Sequence, residues 1–203
     1  MAVAAILLLS ACQSKSYKIE GRGEGLNDND TLYLTTDLHT IAPTDTVIVK
    51  DGKFQISGET DSAYICMIYN ANNMNIMIPF FVEPGNISIE FSKTAGASRI
   101  GGTKLNRAWQ TLNDSVMTIG KEVNLIAERL HNNNFPTETQ QKEWEKIEKL
   151  NQRFRNLLIA TVEQNINNEL GYFILLSYPE EVISNDERLQ LIGPLPQNMR
   201  NRA

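Results

Sequence analysis

Apolar and polar residues alternate strictly over residues 87–91, whereas the stretch before them, residues 78–82, is apolar throughout. Alternation predicts a strand with one face in water, and an unbroken apolar run predicts a strand that is covered on both faces. Pro84 and Gly85, which lie between the two stretches, are the residue types that a type II turn requires. We therefore predict two strands around one turn, with the first strand in the middle of the fold.

Further strands are predicted on both sides of a second turn signal. Asp51-Gly52 between two alternating stretches indicates a hairpin with a type I′ turn, and residues 70–75 are predicted to form a polar loop. With the two strands above, the count reaches about seven, which favours an antiparallel β-sandwich, or alternatively a curled sheet. The remaining predicted strands are residues 17–24, 31–36, 46–49, 53–57 and 64–69.

Apolar residues in the second half of the chain follow a helical period. Thr103 is a suitable N-cap for the first helix, and Thr137 with Gln140 forms a predicted capping box for the second. The short loop between them predicts an antiparallel hairpin, whose seam favours packing within the chain over a dimer interface. Asn168 is predicted to cap a third helix, residues 169–177. The seam comprises Leu105, Trp109, Leu112, Val116, Ile119, Val123, Ile126 and Leu130, and the second stripe comprises Trp144, Ile147, Leu150, Phe154, Leu157, Leu158, Val162 and Ile166.

These patterns predict an α+β protein, with an N-terminal antiparallel β-sandwich followed by a long antiparallel α-helical hairpin. The predicted β domain covers residues 16–102, and the hairpin with its short third helix covers residues 103–178. Residues 1–15 are assigned to a signal and tether, and residues 179–203 to a linker or tail.

The N-terminus carries a targeting signal. Residues 2–11 are too short an apolar run to span a bilayer, and they end in Leu9-Ser10-Ala11-Cys12. This ending resembles the lipobox of bacterial lipoproteins, although no Lys or Arg precedes the apolar run. The resemblance implies lipidation of Cys12, removal of residues 1–11, and an anchored protein in the cell envelope that faces the periplasm or the cell surface. The alternative is a buried N-terminal helix with a chance cysteine.

Charge and cysteine content exclude several classes of protein. The 203 residues carry a net charge of −5, and the basic clusters along the sequence are Arg153 with Arg155 and Arg200 with Arg202. The first pair is predicted to lie on the wet face of a helix and the second at a frayed end. This balance argues against binding of nucleic acid, which depends on clustered cations. Two cysteines are too few for a disulfide framework or a cysteine-based zinc site. Of these, Cys66 falls within a predicted strand, which favours a core residue over a redox thiol.

The remaining candidates for chemistry all favour structural roles. Residues 21–25 resemble a phosphate loop, but no helix follows, so the glycines indicate a close backbone approach. Residues 27–30 form a turn that lacks the glycine and glutamate of a calcium loop. His39 lies in a predicted loop, and His131 suits the C-terminus of a helix. We therefore assign no catalytic, metal-binding or cofactor-binding residue, while a pair of carboxylates that meet in space stays open.

Three stretches in order resemble a known family: residues 49–54 leading to Gly58, residues 82–87, and residues 102–106 at the head of a helix. They are similar to the N-terminal β-rich domain of unknown function of Gram-negative envelope lipoproteins. In that family the domain usually precedes a thioredoxin-like domain, whose Cys-x-x-Cys motif is absent here. The chain is therefore either the N-terminal piece of a longer thiol–disulfide oxidoreductase or a stand-alone relative. The resemblance implies a non-catalytic accessory, recognition or spacer module, with the membrane and a thioredoxin-like domain or another envelope protein as partners.

Two rival hypotheses remain. A small-ligand or glycan-binding sandwich would present Tyr33, Tyr64 and Tyr69 as exposed stacking groups. An enzyme would need a pocket in which two carboxylates converge.

Overall fold

A computed structural model describes residues 15–38, 40–94, 96–132 and 135–200, and its eight strands and five helices confirm the α+β class. The strands are β1 (Ser16–Gly23), β2 (Thr31–Thr35), β3 (Asp45–Ile48), β4 (Lys53–Glu59), β5 (Tyr64–Asn70), β6 (Asn73–Val82), β7 (Gly85–Phe91) and β8 (Arg99–Gly101). The helices are α1 (Lys104–Asn132), α2 (Thr137–Gln164), α3 (Glu169–Ser177), α4 (Asn185–Ile192) and α5 (Gln197–Arg200).

The strands form two four-stranded sheets that share one apolar core. Sheet 1 has the order β4-β1-β7-β8, and sheet 2 has the order β3-β2-β5-β6. This confirms the predicted sandwich with one difference, because β1 and β7 are parallel while the other paired strands are antiparallel. The reason is that β7 enters sheet 1 from sheet 2 at the end where β1 also begins, so both strands run in the same direction.

The turn at Pro84 and Gly85 joins two sheets instead of closing a hairpin. Gly85 has a φ of 124°, and the strands that flank it belong to different sheets. The predicted cover on both faces of β6 is confirmed, because Phe80 and Phe81 are both fully buried. However, β6 is an outer strand of sheet 2, not a central one. Its second face is covered by helices, through ring contacts of Phe81 with Trp109 of α1 and with Phe173 of α3.

The Asp51-Gly52 turn forms as predicted, with φ values of 52° and 65°. Lys50 and Lys53 exchange backbone hydrogen bonds of 2.8 and 2.9 Å across it. Beyond this one pair, β3 and β4 separate into different sheets, so the predicted hairpin is limited to the turn itself. The polar loop predicted at residues 70–75 is also shorter than expected, because β5 and β6 extend their pairing through a register shift near Asn70.

Helix α1 is locked onto β6 at its beginning. The Asn106 side chain accepts a hydrogen bond from the Phe81 N–H (2.8 Å) and donates one to the Phe81 carbonyl (2.7 Å). Trp109 Nε1 donates to the Pro79 carbonyl at 3.1 Å. A buried side-chain amide that satisfies both backbone groups of one residue fixes the orientation of the helix as well as its position.

The far half of the hairpin is separate from the main core. Ile119, Ile126 and Ile147 are buried between α1 and α2, but they do not belong to the core that both sheets share. The two helices are antiparallel, because Glu122 pairs with Arg153 while Arg129 pairs with Glu143. We call residues 117–132 and 135–149 the distal arm; its α1 portion is about 24 Å long at 1.5 Å per residue.

Two predictions for α2 were wrong. Thr137 is the first helical residue and Pro136 occupies the N-cap without a side-chain cap bond, so the predicted capping box does not form. Trp144 is 58% exposed, whereas Glu143 occupies the buried position. Each residue advances a helix by about 100°, so Glu143 and Trp144 point in different directions. The buried stripe contains Glu143, and Trp144 therefore points into solvent.

Residues 179–200, predicted to be a linker or tail, instead contain α4 and α5. Ile183, Leu195 and Met199 are buried and belong to the main core. Helix α4 begins with a capping box formed by Ser184 and Glu187. These helices have eight and four residues, which is too short for a periodic apolar pattern to reveal them.

Candidate functional site

The outer face of sheet 1 carries a groove of about 980 Å³. All four strands of the sheet contribute to it, with the end of β3 and Lys50 of the β3–β4 connection at one side and Gln110 of α1 at the other. Its polar lining alternates with buried residues along each strand, as expected for a sheet with one wet face. The charged lining residues are Glu20, Arg22, Lys50, Lys53, Glu90 and Arg99.

Five of these charges form one continuous row across the strands. Lys50 is opposite Lys53, Lys53 is opposite Arg22, Arg22 is opposite Glu90, and Glu90 is opposite Arg99. Residues directly opposite each other project from the same face of a sheet. With neighbouring strands about 4.8 Å apart, the row is about 19 Å long.

Some charges of the groove have partners within the protein. Arg22 Nη2 lies 3.4 Å from Glu90 Oε1, and Arg99 forms an ion pair with Asp114 of α1. In the part of the chain that the structure describes, neither Lys50 nor Lys53 has a carboxylate within ion-pair distance. The β3–β4 end of the groove is therefore its cationic end.

The groove also contains the two carboxylates that an enzyme hypothesis would require. Glu20 pairs with Lys18 at 2.7 Å and Glu90 pairs with Arg22 at 3.4 Å. Both carboxylate side chains are more than half exposed, at 58% and 57%. Each of these carboxylates therefore lies at the surface beside a cation.

Cys66 lies in β5 of sheet 2 and is a core residue, as predicted. It is 3% exposed, and burial raises the pKa of its thiol to about 12. Burial also raises the pKa of the Tyr64 hydroxyl. A thiolate is the reactive form of cysteine, so this environment suppresses nucleophilic and redox chemistry at Cys66.

The tyrosines proposed for glycan stacking are not arranged as exposed platforms. Tyr69 is buried, its hydroxyl donates to the Ile41 carbonyl at 2.9 Å, and its ring stacks on that of Tyr33 with centroids 5.5 Å apart. Tyr33 and Tyr64 are only partly exposed. Tyr69 was therefore wrongly considered as a surface group.

The glycine-rich stretch of β1 has the structural role predicted for it. A Cβ at Gly21 would overlap the ring of Phe54, and one at Gly23 would overlap the backbone of Phe91. The turn at residues 27–30 is closed by Asp30, whose carboxylate accepts from the Asn27 N–H at 2.9 Å. Among the described residues, no three His, Cys, Asp or Glu side chains come together as a possible metal site.

The other predicted site residues lie elsewhere. Cys12 and His39 are outside the described residues, so lipidation of Cys12 stays a prediction. His131 is exposed in the last turn of α1, as expected. The helices within the described ranges include none that is both long enough and apolar enough to span a bilayer.

The charge row was missed because the sequence separates its members by up to 77 positions, from Arg22 to Arg99. Strand pairing alone brings them together, and the available signal was the alternation of Lys18, Glu20 and Arg22 along one face of β1. Arg155, by contrast, was predicted to lie on a wet face. It donates instead to the Val182 carbonyl at 3.1 Å and pairs with Glu187 of α4.

The fold and the groove define an α+β protein in which a two-sheet sandwich supports a helical hairpin. Residues 17–109 match the family model "Domain of unknown function (DUF4369)", which confirms the expected N-terminal domain of unknown function. The match extends through all eight strands and ends at Trp109, so it includes the α1 residues that lock onto β6.

A similar solved structure is a DUF3823 family protein from Parabacteroides merdae ATCC 43184. It is 21% identical over 38% of this chain and 44% of its own chain, with a TM-score of 0.25. The chain thus spans less than half the length of that protein. No curated protein matches the chain at a significant level.

Proposed function

We propose that this protein is a non-catalytic module of a cell-envelope lipoprotein, anchored by an acyl chain on Cys12. It serves as a recognition or spacer domain for a thioredoxin-like oxidoreductase or another envelope protein. The lipobox-like ending at Cys12 and the resemblance of the β domain to envelope lipoproteins support the location. The observation that carries the spacer role is the direction in which α1 leaves the sandwich.

Helix α1 begins at the end of the sandwich where β1 begins, and it runs away from that end. Tyr17 of β1 pairs with Gly85, and the adjacent Glu83 accepts a hydrogen bond from the Leu105 N–H at 2.7 Å. Farther along α1, Asp114 pairs with Arg99, whose strand partner Glu90 lies near the other end of β7. An anchor four residues before Ser16 would therefore hold the distal arm away from the membrane.

Labelling with radioactive palmitate tests the anchor. Incorporation is expected in the wild-type chain and in Cys66→Ala, and it is expected to be lost in Cys12→Ala. Cys66→Ala is the matched control because it removes the other cysteine. Equal labelling of Cys12→Ala and wild type would contradict the proposed anchor.

Fluorescence quenching by a probe within the membrane tests the spacer geometry. A dye on Glu59→Cys, next to Ser16 in the sheet, is expected to be quenched in the anchored protein, and a dye on Glu128→Cys in the distal arm is not. Both positions are exposed on the surface, and the native Cys66 is buried against labelling. The reverse order of quenching would show that the arm points toward the membrane and would reject the spacer role.

Binding of a small ligand or glycan is the second candidate, and the groove on sheet 1 favours it over a pure spacer. Chemical-shift changes of the labelled protein against a panel of neutral glycans test this alternative. Changes confined to residues 20–22, 53–55, 88–90 and 99–101 would support it, and a flat response would remove it.

A further inference from the structure

The row of charges in the groove has an arrangement that is unfavourable for the protein alone. Lys50 and Lys53 face each other across a two-residue turn, and Arg22 lies beside Lys53 on the next strand. Like charges directly opposite on neighbouring strands are destabilising. Three adjacent cations in a protein with a net charge of −5 therefore call for a compensating anion.

Within the described residues, no carboxylate near the row forms an ion pair with Lys50 or Lys53. Glu90 pairs with Arg22 and lies on the side of Arg22 that faces away from Lys53. Asp114 pairs with Arg99. Asp28 lies close to the turn, where its carboxylate accepts a hydrogen bond from the Gly52 N–H at 3.1 Å. The ammonium groups of Lys50 and Lys53 thus remain available to a ligand at the surface.

We propose that the cationic end of the groove binds an acidic, extended peptide segment of a partner protein. Its carboxylates would contact Lys50, Lys53 and Arg22, and an adjacent apolar side chain would contact Ile48, which is 45% exposed and lines the same groove. The proposal deepens the recognition role given above and rests on it.

Three features favour a peptide over an anionic sugar or a free phosphate. Phe54 is the aromatic residue among the described lining, and it is buried, so a sugar ring has no stacking platform there. The three cations of the site span two strand spacings, about 10 Å, which is longer than one phosphate needs. Finally, β4 is an outer strand of sheet 1, and beyond Lys53, whose backbone groups bond to Lys50, its outer edge can pair with an extended peptide.

Chemical-shift mapping on the wild-type protein tests where an acidic peptide binds. The probe is an oligoglutamate peptide, compared with an oligogalacturonate, with inorganic phosphate and with oligolysine. Oligoglutamate is expected to shift amides of residues 20–22, 48–55 and 88–90, and the effect should weaken as salt is added. Shifts in the distal arm, or a stronger response to oligogalacturonate or phosphate than to oligoglutamate, would overturn the proposal.

Charge reversal tests which residues are responsible. The double variant Lys50→Glu/Lys53→Glu is expected to weaken oligoglutamate binding by about tenfold or more, because two attractive contacts become repulsive. The matched control is Lys121→Glu/Lys149→Glu, which makes the same change in net charge at exposed positions of the hairpin. Equal weakening in both variants would show only a response to net charge and would reject the site.

The two proposals fail in different ways. Palmitate labelling that persists in Cys12→Ala, together with the expected oligoglutamate shifts, would overturn the anchor and support the peptide site. A flat oligoglutamate response in a normally labelled protein would overturn the peptide site alone.

Discussion

The two halves of the helical hairpin share one sequence pattern but are held in different ways. Near the sandwich, Leu105, Trp109 and Leu112 of α1 belong to the main core. Leu158 and Val162 of α2 are buried in the same core. In the distal arm, Ile119 and Ile126 are buried but lie outside the main core. Apolar residues at steps of three and four therefore predict that one face of the helix is buried. They do not predict whether that face packs against the main core or against a single helix.

Polar side chains follow the same division. At the sandwich, Asn106 is fully buried and is neutral; it bonds to both backbone groups of Phe81 and donates to the Thr103 hydroxyl at 2.8 Å. In the arm, Glu143 is buried as a charged group between Arg129 and Lys146. A neutral amide in a deep site avoids the desolvation cost of an ion, whereas an ion at a shallow site keeps contact with water. We infer that the half near the sandwich fixes the position of the hairpin on the sheets. The distal arm extends from it with most of its surface in contact with water.

Replacing Phe81 by alanine is expected to have the largest effect. Its ring is fully buried between Trp109 and Phe173, with centroid distances of 6.4 and 6.0 Å. Phe81→Ala should lower the free energy of unfolding by about 3–5 kcal/mol in urea titrations. Trp144→Ala, an aromatic truncation at an exposed site of the arm, should cost below about 1 kcal/mol. Similar losses in the two variants would mean that the halves do not differ.

Asn106→Ala tests the polar half of the same junction. The change leaves the N–H and the carbonyl of Phe81 without their partner in a buried site. Each unsatisfied buried group costs about 1–3 kcal/mol, so the free energy of unfolding should fall by at least about 2 kcal/mol. Asn124→Ala removes an exposed amide from the same helix and should be nearly neutral. If Asn106→Ala loses no more free energy of unfolding than Asn124→Ala, water must reach the Phe81 backbone groups and replace the amide.

The sequence predicted those parts of the fold that local patterns determine. The Asp51-Gly52 turn, the α1 seam and the Asn168 cap, whose side chain accepts from the Leu170 N–H at 3.0 Å, depend on neighbouring residues and formed as expected. Sheet membership was not predicted, because nothing local distinguishes a turn that closes a hairpin from one that joins two sheets. Pro84-Gly85 is the second kind.

The groove could be predicted less well than the fold. Its floor follows from alternation along β1, but its charge row depends on the registers of β1, β4, β7 and β8. Those registers place Arg22 beside both Lys53 and Glu90, and they depend on contacts between residues far apart in sequence. Arg155 illustrates the same limit, because its ion-pair partner Glu187 lies in α4, a helix too short to be recognised.

Truncation within the arm is expected to have a smaller effect than truncation at the junction. Ile147→Ala removes a side chain that is 9% exposed, in a layer only two helices thick. The neighbouring side chains can close over the gap, so the loss should be at most about 2 kcal/mol. Leu158→Ala, at a fully buried position of the same helix, should cost more. Hydrogen exchange of residues 118–130 should accelerate in Ile147→Ala while exchange of residues 105–112 stays unchanged, and uniform acceleration would contradict a separate arm.

The smallest expected effect concerns the charged contact in the arm. Hydrogen bonds from Lys146 and Arg129 to Glu143 lower the pKa of its carboxyl group below the usual 4.5. A carboxyl whose pKa is lower in the folded state stabilises the fold above its unfolded pKa, and this contribution disappears as the pH falls through the folded value. Thermal unfolding should therefore show a stabilising contribution that is constant near neutral pH and is lost below about pH 4.5.

Glu143→Gln should lower the melting temperature slightly at pH 7 and flatten the acid limb, because its side chain does not titrate. Glu148→Gln, at an exposed position of the same helix, should keep the acid limb of the wild type. If both variants follow the wild-type profile, the ion pairs of Glu143 contribute nothing, and the arm is held by its apolar seam alone.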